Sequence, residues 1–572
     1  MYFSQDTEHG FYYMGVEEPH ARLYAKYFKD SIPYMVALDV ESISIKERIA
    51  LGIGVAVSPD IAFYFVLFPT ESPATPWHVL RNDVIIKILH NCLFDYSCLR
   101  EFEVSAENVR DTSVMSRLLL YKYNGLADLT HIHGKPLGDI VDLMKEHKAR
   151  TMLDVPQAEV AKKCMQDCMA TFTLHNALLP QTDMAYYDVE MQTIPIMVKM
   201  SYRGLKLDQD TRGVIEDLLE DDVAKLLQTC EELEGFNPGS PQQVSYVLAK
   251  RGAYSVFSKL PFTKNIYGRR TNSLSTNVKV LEAMTDPIAS LVLDYRGKNK
   301  LLGTYIRPWA NEERGYTRYH LDAITGRPSS TDRNMQNIPG KYKKDGTLYP
   351  YNCRGVLLPD TEVWTDLDLS QVEPRALAYL SQDREMMHIF SLPPRLPDGE
   401  RNPDADIHGQ VAEFMGITRK LGKTVNLAMT YGATDETLME TAGIKDKRRA
   451  SQLREMWFQK FPQAGDYIKT CQEEAVRYGV ATTAFGRKMR LPTLEEESID
   501  GIQRKSVDYP CQGTAADILK RGLIVCKDMD IALQVHDELL IDSYVPEYKF
   551  KRLESVAPFW TPFEVKYLNR WE

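Results

Sequence analysis

Short runs of apolar residues recur between positions 33 and 70. The runs at 34–38, 49–58 and 61–68 have the length of strands and are rich in β-branched and aromatic residues, so they predict three strands. Apolar residues at helical spacing follow at 83–103, 112–121 and 157–179, which predicts three helices. Strands followed by helices indicate an α/β domain that ends near Thr182.

Two long helices are predicted next, at 190–201 and 211–233. Gly204 ends the first helix, whereas Asp208 begins the second and Gly235 ends it, as boundary residues of these types commonly do. Irregular, basic sequence then extends to about residue 319. From there to the C-terminus we expect strands that alternate with helices. No long linker is visible, so the units should pack against one another.

The length of 572 residues exceeds what one hydrophobic core usually supports, so two to four compact units are expected. With 44% hydrophobic and 26% charged residues, the composition is that of an ordinary soluble protein. The nine cysteines form no C-x-x-C pair, so we expect reduced, mostly buried thiols and no structural zinc. No run approaches the roughly 20 apolar residues of a membrane span, and no signal or transit peptide is evident. The expected location is the cytoplasm, that of the host cell if the source is viral.

A net charge of −10 weighs weakly against a nucleic-acid partner. Local basic clusters interrupt the acidic background, however, and only the field at the bound phosphates matters. Any one cluster alone is more often a solvated charged face. The clusters lie at Arg269–Arg270, Lys298–Lys300, Lys341–Lys344, Arg419–Lys423 and Lys447–Arg449.

Asp368 ends a predicted strand at 363–368 that leads into a helix. A carboxylate at a strand end is held rigidly but open to solvent, which suits the oxygen-loving Mg²⁺ ion. The alternative is that Asp368 is an ordinary surface residue, with Ser370 and Glu373 forming a capping box. That alternative explains Glu373 but not Asp368.

A stripe of four residues follows one face of a predicted helix that Thr418 can begin and Gly432 can end. Its members recur every four positions and are Arg419, Lys423, Leu427 and Tyr431. Two cations near a helix N-terminus form a strong anion site, and a triphosphate is the natural ligand. Standing alone, such a helix is more often a solvated face.

A tight hairpin is predicted at 531–542, with His536 and Asp537 at its tip between two apolar strands. Asp537 could be a simple turn residue. Paired with Asp368, it offers the second half of a two-metal site for an in-line displacement.

These segments together resemble motifs of the family A DNA polymerases, the bacterial polymerase I type. The sequence from Asp368 to Glu373, the helix with the Arg419 stripe, and His536-Asp537-Glu538 resemble motifs A, B and C of that family. Segments 325–339, 406–408 and 509–517 resemble its primer–template grip, its β-phosphate contact and its template contact. The resemblance covers nearly the whole chain.

The resemblance implies a right-hand polymerase with thumb, palm and fingers. Asp368 and Asp537 would bind two Mg²⁺ ions, for which Mn²⁺ can substitute, and Glu538 would belong to the same catalytic group. Glu373 would exclude a ribose 2′-OH. The residues that would contact the dNTP are Arg419, Lys423, Tyr431, Leu427, Glu373, Gln371 and His408. Those that would grip the DNA are Arg327, Asn334, Gln336, Arg504, Gln512 and His536.

Four carboxylates in the first domain suggest a second site. Asp39 and Glu41 lie two apart on a predicted strand and so share a face, while Asp95 and Asp167 lie in predicted helices. A D-x-E pair alone is usually two exposed strand residues. In this order ahead of polymerase motifs, the four resemble the Exo motifs of the DEDD 3′→5′ exonucleases, which have an RNase H-like fold. The resemblance implies two further Mg²⁺ ions and water as the nucleophile.

Lys163 departs from the exonuclease pattern, because the Tyr subgroup places a water-orienting Tyr at this position. We expect an active but slower exonuclease. The ammonium group either replaces the Tyr as a donor or pairs with a ligand carboxylate. The alternative is a polymerase whose exonuclease domain has decayed into a structural platform. In the polymerase motifs, Leu427 stands where relatives have Phe or Tyr, and Asp508 stands where an Asn is common.

The fold class we expect is multidomain α/β and α+β, with an exonuclease domain at 1–182 and a polymerase domain at 183–572. Within the latter, the thumb is expected at about 183–320, the palm at about 321–382 and 491–572, and the fingers at about 383–490. No 5′-nuclease domain is evident, an architecture similar to that of phage replicative polymerases. The expected partners of this monomer are primer–template DNA and dNTPs, with helicase, primase or other replisome proteins.

Three rival functions explain less of the sequence. A single-subunit RNA polymerase would not be expected to keep Glu373 or the exonuclease carboxylates. A stand-alone RNase D-like nuclease accounts for residues 1–180 only. A non-catalytic nucleic-acid-binding remnant would not need Asp368, Asp537, Arg419 and Lys423 together.

Overall fold

The computed structural model describes residues 2–7, 10–11, 18–133, 137–138, 140–257, 259–264, 270–340 and 350–571, with side chains from residue 22 onward. Of the predicted basic clusters, Lys341–Lys344 and the Arg269 half of Arg269–Arg270 lie outside these residues. Among the described helices, none is long and apolar enough to cross a membrane. All nine cysteines are free thiols, and eight of them are buried, as the sequence predicts.

A seven-stranded sheet organises the first part of the chain. Its strands are β1 (Tyr2–Thr7), β2 (Gly10–Phe11), β3 (Met35–Ser42), β4 (Ala50–Ser58), β5 (Ile61–Val66), β6 (Ile86–Leu89) and β7 (Val109–Asp111). They lie in the order β2-β1-β5-β4-β3-β6-β7. The β3–β6 and β6–β7 pairs are parallel, and the other pairs are antiparallel. The three strands expected between positions 33 and 70 are confirmed.

Helices cover this sheet, and one of them lies across β3, β4 and β5. That helix is α7 (Gln157–Leu178). The helices before it are α1 (Glu18–Ala25), α2 (Trp77–Leu80), α3 (Cys92–Cys98), α4 (Thr112–Leu118), α5 (Leu126–Ile132) and α6 (Ile140–Glu146). The single helix predicted over 83–103 is wrong. Its first apolar run is the buried strand β6, because a short apolar run fits a buried strand as well as a helix. Asn91, at φ 64°, then turns the chain into α3.

The middle of the chain is helical. Its helices are α8 (Met184–Arg203), α9 (Gln209–Glu234), α10 (Pro241–Lys250), α11 (Val278–Glu282) and α12 (Pro287–Leu301). Asp208 and Gly235 cap α9 as predicted, and α8 ends at Gly204, although Asp183 begins it before position 190. The irregular sequence expected up to residue 319 is wrong, because Val244, Leu248 and Val292 pack α10 and α12 into a shared core.

Small sheets connect this helical region to the rest of the chain. Their strands are β8 (Leu205–Leu207), β9 (Phe262–Lys264), β10 (Arg270–Leu274), β11 (Arg314–Gly315), β12 (Arg318–His320), β13 (Ser329–Thr331) and β14 (Leu357–Leu358). The central strand β8 pairs with both β11 and β14, so segments distant in sequence meet beside α9.

A four-stranded antiparallel sheet forms the platform of the second half. It is built from β15 (Trp364–Leu369) and from three later strands, β18 (Ile531–Val535), β19 (Glu538–Ile541) and β20 (Phe563–Leu568), in the order β18-β19-β15-β20. β18 and β19 form the predicted hairpin, with His536 at φ 51° in its turn.

Helices dominate between β15 and that hairpin. They are α13 (Val372–Ser381), α14 (Arg384–Ser391), α15 (Ile407–Met415), α16 (Arg419–Thr430), α17 (Asp435–Ala442), α18 (Lys447–Lys460) and α19 (Pro462–Tyr478). A short hairpin of β16 (Val480–Thr482) and β17 (Lys488–Arg490) follows, and then the long helix α20 (Ile499–Val525). The alternation of strands with helices expected here is wrong from α13 to α19. These helices share a core of their own around Trp457 and Phe461.

The two halves of the chain pack through α8. Lys520 of α20 and Glu190 of α8 form a buried ion pair at 2.6 Å. About one turn earlier on α8, the Tyr187 hydroxyl accepts a hydrogen bond from the backbone N–H of Asp111 at 2.8 Å. One hydrophobic cluster therefore runs from the seven-stranded sheet through α8 to β18.

Candidate active sites

Three carboxylates lie together at one edge of the four-stranded sheet. Asp368 near the end of β15 pairs in register with Glu538 at the start of β19. The backbone N–H of Leu369 donates to the Asp537 carbonyl at 3.1 Å. Strand pairing therefore brings together the residues that the sequence places in separate motifs.

Burial raises the pKa of the carboxylates at this edge. It raises the pKa of Asp368 to about 6, and the charges of Glu538 and Asp537 act in the same direction. Burial likewise raises the pKa of Asp537 to about 6, although the Arg327 guanidinium, 3.7 Å away, opposes it. Desolvated carboxylates that repel one another gain most from a bound cation, and an all-oxygen set suits Mg²⁺.

Glu538 is held by two side chains that the sequence analysis missed. The indole Nε1 of Trp571 donates to its Oε1 at 2.6 Å, and Arg354 lies 3.6 Å from its Oε2. The guanidinium of Arg354 in turn stacks 4.1 Å from the ring centroid of Trp571. No sequence signal marks these two residues, because they are far from Glu538 along the chain. Protein groups thus engage both oxygens of Glu538.

Asp366 is a fourth carboxylate near this edge. It is buried, and its Oδ1 has no hydrogen-bond partner among the described residues. Burial raises its pKa to about 7, and the charge of Glu538 adds to the shift. The signal for it is visible in the sequence, since Asp366 and Asp368 lie two apart on one strand and share a face.

Glu373 does not form the capping box expected as the alternative. The N-cap of α13 is Gln371, in a left-handed conformation at φ 52°, and it makes no side-chain cap. The Glu373 carboxylate instead accepts hydrogen bonds from the Arg327 guanidinium and the Tyr431 hydroxyl. Glu373 therefore links α13, the end of α16 and the loop before β13.

The predicted anion helix is α16. The Thr418 hydroxyl caps it by accepting the Leu421 N–H at 3.4 Å, and Gly432 follows its end at φ 67°. Lys423 is exposed and Leu427 half-buried. Arg419 makes a bidentate contact with Asp406, at 2.5 and 3.0 Å, so this cation already has an anionic partner.

His408 faces these cations from α15. Its pKa is lowered to about 4, chiefly by burial. Asp406 opposes this shift, whereas the charges of Lys423 and Arg419 add to it. The ring is therefore neutral at neutral pH. Its Nδ1 contacts the Nδ2 group of the buried Asn426 at 3.3 Å.

The predicted DNA-contacting residues fall into a connected group and an outlying one. Gln336 is buried and donates to Gln534 at 3.0 Å, which donates to the His536 carbonyl at 2.7 Å. Asn334 accepts from Ser330 at 3.0 Å. The outlying members lie on α20, where Arg504 is exposed and Gln512 donates to Asp508 at 2.7 Å.

Two of the described basic clusters are partly neutralised by neighbours. Lys298 pairs with Asp222 and Asp294, each at 3.0 Å. Lys447 pairs with Glu436 at 2.6 Å. Solvated, paired faces account for these two clusters, in contrast to Lys423 on α16.

The four carboxylates of the first domain also meet. Asp39 and Glu41 project from β3, Asp95 from α3 and Asp167 from α7. Glu41, Asp95 and Asp167 are buried, and Oδ1 of Asp167 has no hydrogen-bond partner among the described residues. Ligand atoms of Asp39, Glu41 and Cys164 lie within 4.8 Å of one another, a donor set that can hold a divalent cation.

Burial raises the pKa of all four carboxylates. The rise is largest at Glu41 and Asp95, where neighbouring carboxylates add to it, and it brings Asp167 to about 7. Such a cluster is costly without positive charge. An orphaned buried oxygen and mutually repelling carboxylates both fit a metal site.

Lys163 lies inside this cluster. Its ammonium forms an ion pair with Asp167, one helical turn away. Burial alone would lower the pKa of Lys163, but the charges of Asp167, Asp39 and Glu41 outweigh burial and raise it. Of the two roles expected for Lys163, the contact with a ligand carboxylate is the one present.

Family comparisons agree with the order of the two sites. Residues 211–558 match the family model of DNA polymerase family A. The chain belongs to this family. Residues 22–183 match the model of a 3′-5′ exonuclease, so this family A polymerase chain carries an exonuclease domain ahead of its polymerase domain.

Several relatives are bacterial DNA polymerases I. That of Caldicellulosiruptor bescii is 31% identical over 420 residues, covering 67% of this chain and 46% of the relative. That of Chloroflexus aurantiacus is 26% identical over 559 residues, covering 89% and 57%. The thermostable enzyme of Thermus aquaticus is 30% identical over 417 residues, covering 67% and 47%. The chain spans about half the length of the curated relatives it matches.

A solved structure shares the fold. The POL domain of Pol1 from M. smegmatis, in complex with DNA primer-template and dNTP, aligns with a TM-score of 0.71 and 21% identity. The alignment covers 94% of this family A chain and 95% of the other. The two chains therefore share one fold over nearly their whole length.

Proposed function

We propose that the chain catalyses template-directed, primer-dependent DNA synthesis from dNTPs and 3′→5′ exonucleolytic proofreading in DNA replication. The observation that carries the first activity is the meeting of Asp368 and Asp537 at one sheet edge, beside the helix that carries Lys423. The observation that supports the second is the buried cluster of Asp39, Glu41, Asp95 and Asp167.

Each site offers carboxylates that would hold two Mg²⁺ ions. When bound, these would activate the primer 3′ hydroxyl and stabilise the departing pyrophosphate in one site, and activate a water in the other. Asp368 and Asp537 would hold them in the polymerase site. Glu538, whose oxygens Trp571 and Arg354 already engage, would act by its charge.

The residues near the start of α16 would bind the triphosphate. Lys423 is exposed and Arg419 lies within the first turn, where the helix dipole favours an anion. In the structure, Arg419 contacts Asp406. A bound phosphate would therefore either replace Asp406 as the partner of Arg419 or share Arg419 with it. His408 would add a neutral N–H donor, because its pKa lies well below neutrality.

The group of Glu373, Tyr431 and Arg327 would recognise the sugar and the primer end. Tyr431 ends α16, and its hydroxyl is bound to Glu373. With both oxygens engaged, the Glu373 carboxylate has a fixed position from which it can exclude a ribose 2′-OH. The DNA grip would include Asn334, Gln336 and His536 near the hairpin, with Arg504 and Gln512 on α20.

Lys163 would set the resting state of the exonuclease site. Its ammonium partly neutralises carboxylates that would otherwise be buried without a counter-charge. Metal binding would have to displace it from Asp167. The exonuclease would then be active but slower than one with a Tyr at this position. It would lack the orienting hydroxyl but keep its metal ligands.

The domain boundaries that fit this function are an exonuclease domain at 1–182 and a polymerase domain at 183–572. The buried α8 contacts suggest that both work as one body. The expected partners are primer–template DNA and dNTPs, with replisome proteins such as a helicase or a primase.

Primer extension on a defined template tests the polymerase half of the proposal. Wild type should add only the nucleotide complementary to each template base, and Asp368→Ala should reduce extension by about 10³-fold or more, on the scale of other lost electrostatic groups. DNA binding should persist in this variant. Template-independent addition, or equal extension by both proteins, would overturn the assignment.

A 3′-mismatched primer without nucleotides tests the exonuclease half. Wild type should shorten it with Mg²⁺ or Mn²⁺, whereas Asp39→Ala/Glu41→Ala should not. A wild type as inert as the double variant would favour the alternative, a polymerase with a purely structural exonuclease domain. Lys163→Tyr should shorten the primer faster than wild type.

A further inference from the structure

A chain of buried hydrogen bonds leads from an indole to the imidazole of His408. The Trp457 Nε1 group lies 3.0 Å from Oδ1 of Asn426, and Nδ2 of Asn426 lies 3.3 Å from Nδ1 of His408. Trp457 and Asn426 are fully buried, and 6% of His408 is exposed. These hydrogen bonds join α18 to α16 and α16 to α15.

Donor and acceptor chemistry determines the direction of each bond. An indole N–H can only donate, so Asn426 must present its carbonyl oxygen to Trp457. The amide NH₂ of Asn426 then faces His408. An amide NH₂ donates and does not accept, so Nδ1 of His408 must be the acceptor. In a neutral ring, the single proton is therefore on Nε2.

The location of that proton matters for an anion. A phosphate oxygen can only accept a hydrogen bond from the ring. With the proton on Nε2, Nε2 donates a hydrogen bond to the phosphate. With the proton on Nδ1 instead, Nε2 would present a lone pair to the phosphate and repel it. Within the described residues, Nε2 of His408 has no hydrogen-bond partner. Lys423 and Arg419 lie close enough to influence its charge.

We propose that Asn426, oriented by Trp457, is a positioning residue that holds His408 in its Nε2–H tautomer and so presents a fixed N–H donor to the nucleotide phosphate. The identity of the ligand rests on the proposed function. The tautomer follows from the contacts alone. Family comparisons identify the fold of this region but do not assign Asn426 or Trp457 a role.

Asn426→Asp tests the proposal, because it keeps the acceptor for Trp457 and replaces the donor to His408 by a second acceptor. The full chain labelled with ¹⁵N-histidine would be studied by long-range ¹H–¹⁵N NMR, with the His408 signals assigned by their loss in His408→Ala. Wild type should show a protonated Nε2 and a bare Nδ1. Asn426→Asp should show a protonated Nδ1. A wild-type ring protonated on Nδ1 would overturn the proposal.

Steady-state kinetics supply a second readout. Asn426→Asp should raise KM for the dNTP roughly tenfold, as lost partners of functional imidazoles commonly do, with a smaller change in kcat. In the His408→Ala background the same substitution should change KM by less than about twofold, because coupled residues act through one interaction. An equal rise in both backgrounds would show a merely structural role.

Thr430→Val is the matched control. Thr430 is fully buried on the same helix and donates to the Asn426 backbone carbonyl at 2.9 Å, and the hydrogen bonds of the described residues do not link its side chain to His408. This variant should keep the wild-type tautomer and KM. If it shifts the tautomer as Asn426→Asp does, the side-chain amide is not the cause and the proposal fails. An inactive wild type with the Nε2–H tautomer would instead refute the proposed function alone.

Discussion

The carboxylate of Glu373 has two partners, the Arg327 guanidinium and the Tyr431 hydroxyl. Removing it should open room beside the sugar without removing the metal ligands. We predict that Glu373→Ala raises the rNTP/dNTP incorporation ratio roughly tenfold to a hundredfold, the scale on which steric selection operates. Single-nucleotide incorporation kinetics measure this ratio. Tyr431→Phe, which removes one partner but keeps the carboxylate, should change the ratio much less.

Among the described residues, Lys163 is the one cation whose charge lowers the pKa of Asp39, of Glu41 and of Asp167. Replacing it by Met keeps the side-chain length but leaves buried carboxylates without a counter-charge. We predict that Lys163→Met lowers Tm in chelator, and that Mg²⁺ or Mn²⁺ raises its Tm more than that of wild type, because metal binding stabilises the folded state.

Thermal unfolding with and without metal checks this prediction about Lys163. Lys162, the half-buried neighbour in sequence, which pairs with Glu159 at 3.9 Å, supplies the control as Lys162→Met, which should behave like wild type. An equal metal-induced rise in Lys163→Met and wild type would mean that the ammonium and the metal do not share these carboxylates.

At this scale, the sequence predicts residues whose spacing carries the chemistry. Asp39 and Glu41 show their common face directly, and the stripe on α16 is visible from its period of four. The same spacing joins Asp366 to Asp368, but Asp366 was not predicted. Contacts made only through folding are invisible. Trp571 and Arg354 on Glu538, and Trp457 on Asn426, join residues whose separation in sequence gives no signal.

Close approach of two elements builds the exonuclease site. A Cβ on Gly54 of β4 would lie 2.5 Å from Sγ of Cys168 and 3.0 Å from Sγ of Cys164. Both cysteines are on α7, which carries Asp167. We predict that Gly54→Ala pushes α7 away from the sheet, slows excision of a mismatched end and lowers the free energy of unfolding by roughly 1–3 kcal/mol. Primer extension should remain near wild type.

Gly422 is the counterpart in the polymerase site. A Cβ added at Gly422 would lie 2.7 Å from Cβ of Ala412 and 2.8 Å from the His408 carbonyl oxygen. Gly422→Ala should therefore separate α16 from α15. The expected result is reversed, with impaired extension and normal excision. If both glycine variants lose the same activity, the two helix contacts do not serve separate sites.

Elements with clear boundary residues could be predicted, and short apolar runs could not. Asp208 and Gly235 delimit α9, and Thr418 begins α16, because capping chemistry is local. β6 was expected as helix because only its partners β3 and β7 make it a strand. α12 was missed because Arg296, Lys298 and Lys300 interrupt the apolar pattern of its second half. Basic residues do not explain the miss of α10, whose one cation is its last residue, Lys250.

The halves of the molecule are joined by a buried ion pair that no sequence pattern indicates. Lys520 and Glu190 lie on helices far apart in the chain, and burial lowers the pKa of Lys520. We predict that Glu190→Ala lowers the free energy of unfolding by roughly 3–5 kcal/mol, because it leaves a buried charge unpaired. Glu190→Ala/Lys520→Met should recover much of that loss.

Denaturant-induced unfolding of Glu190→Ala, Lys520→Met and the double variant checks the ion pair. A Glu190→Ala variant as stable as wild type would mean that water or another carboxylate reaches Lys520. Asp517 is the nearest candidate, since its charge also influences Lys520, although Arg487 already holds it at 2.7 Å.

The central claim is that one chain holds two separate sites, one that extends a primer and one that corrects it. The measurement that tests it most directly is a single reaction of a 3′-mismatched primer–template with Mg²⁺ and all four dNTPs, with products resolved by length and sequence. Wild type should remove the mismatch and then copy the template. Asp39→Ala/Glu41→Ala should retain the mismatch in any extended product, and Asp537→Ala should only shorten the primer. Corrected, full-length product from Asp537→Ala, or from the double variant, would contradict the account.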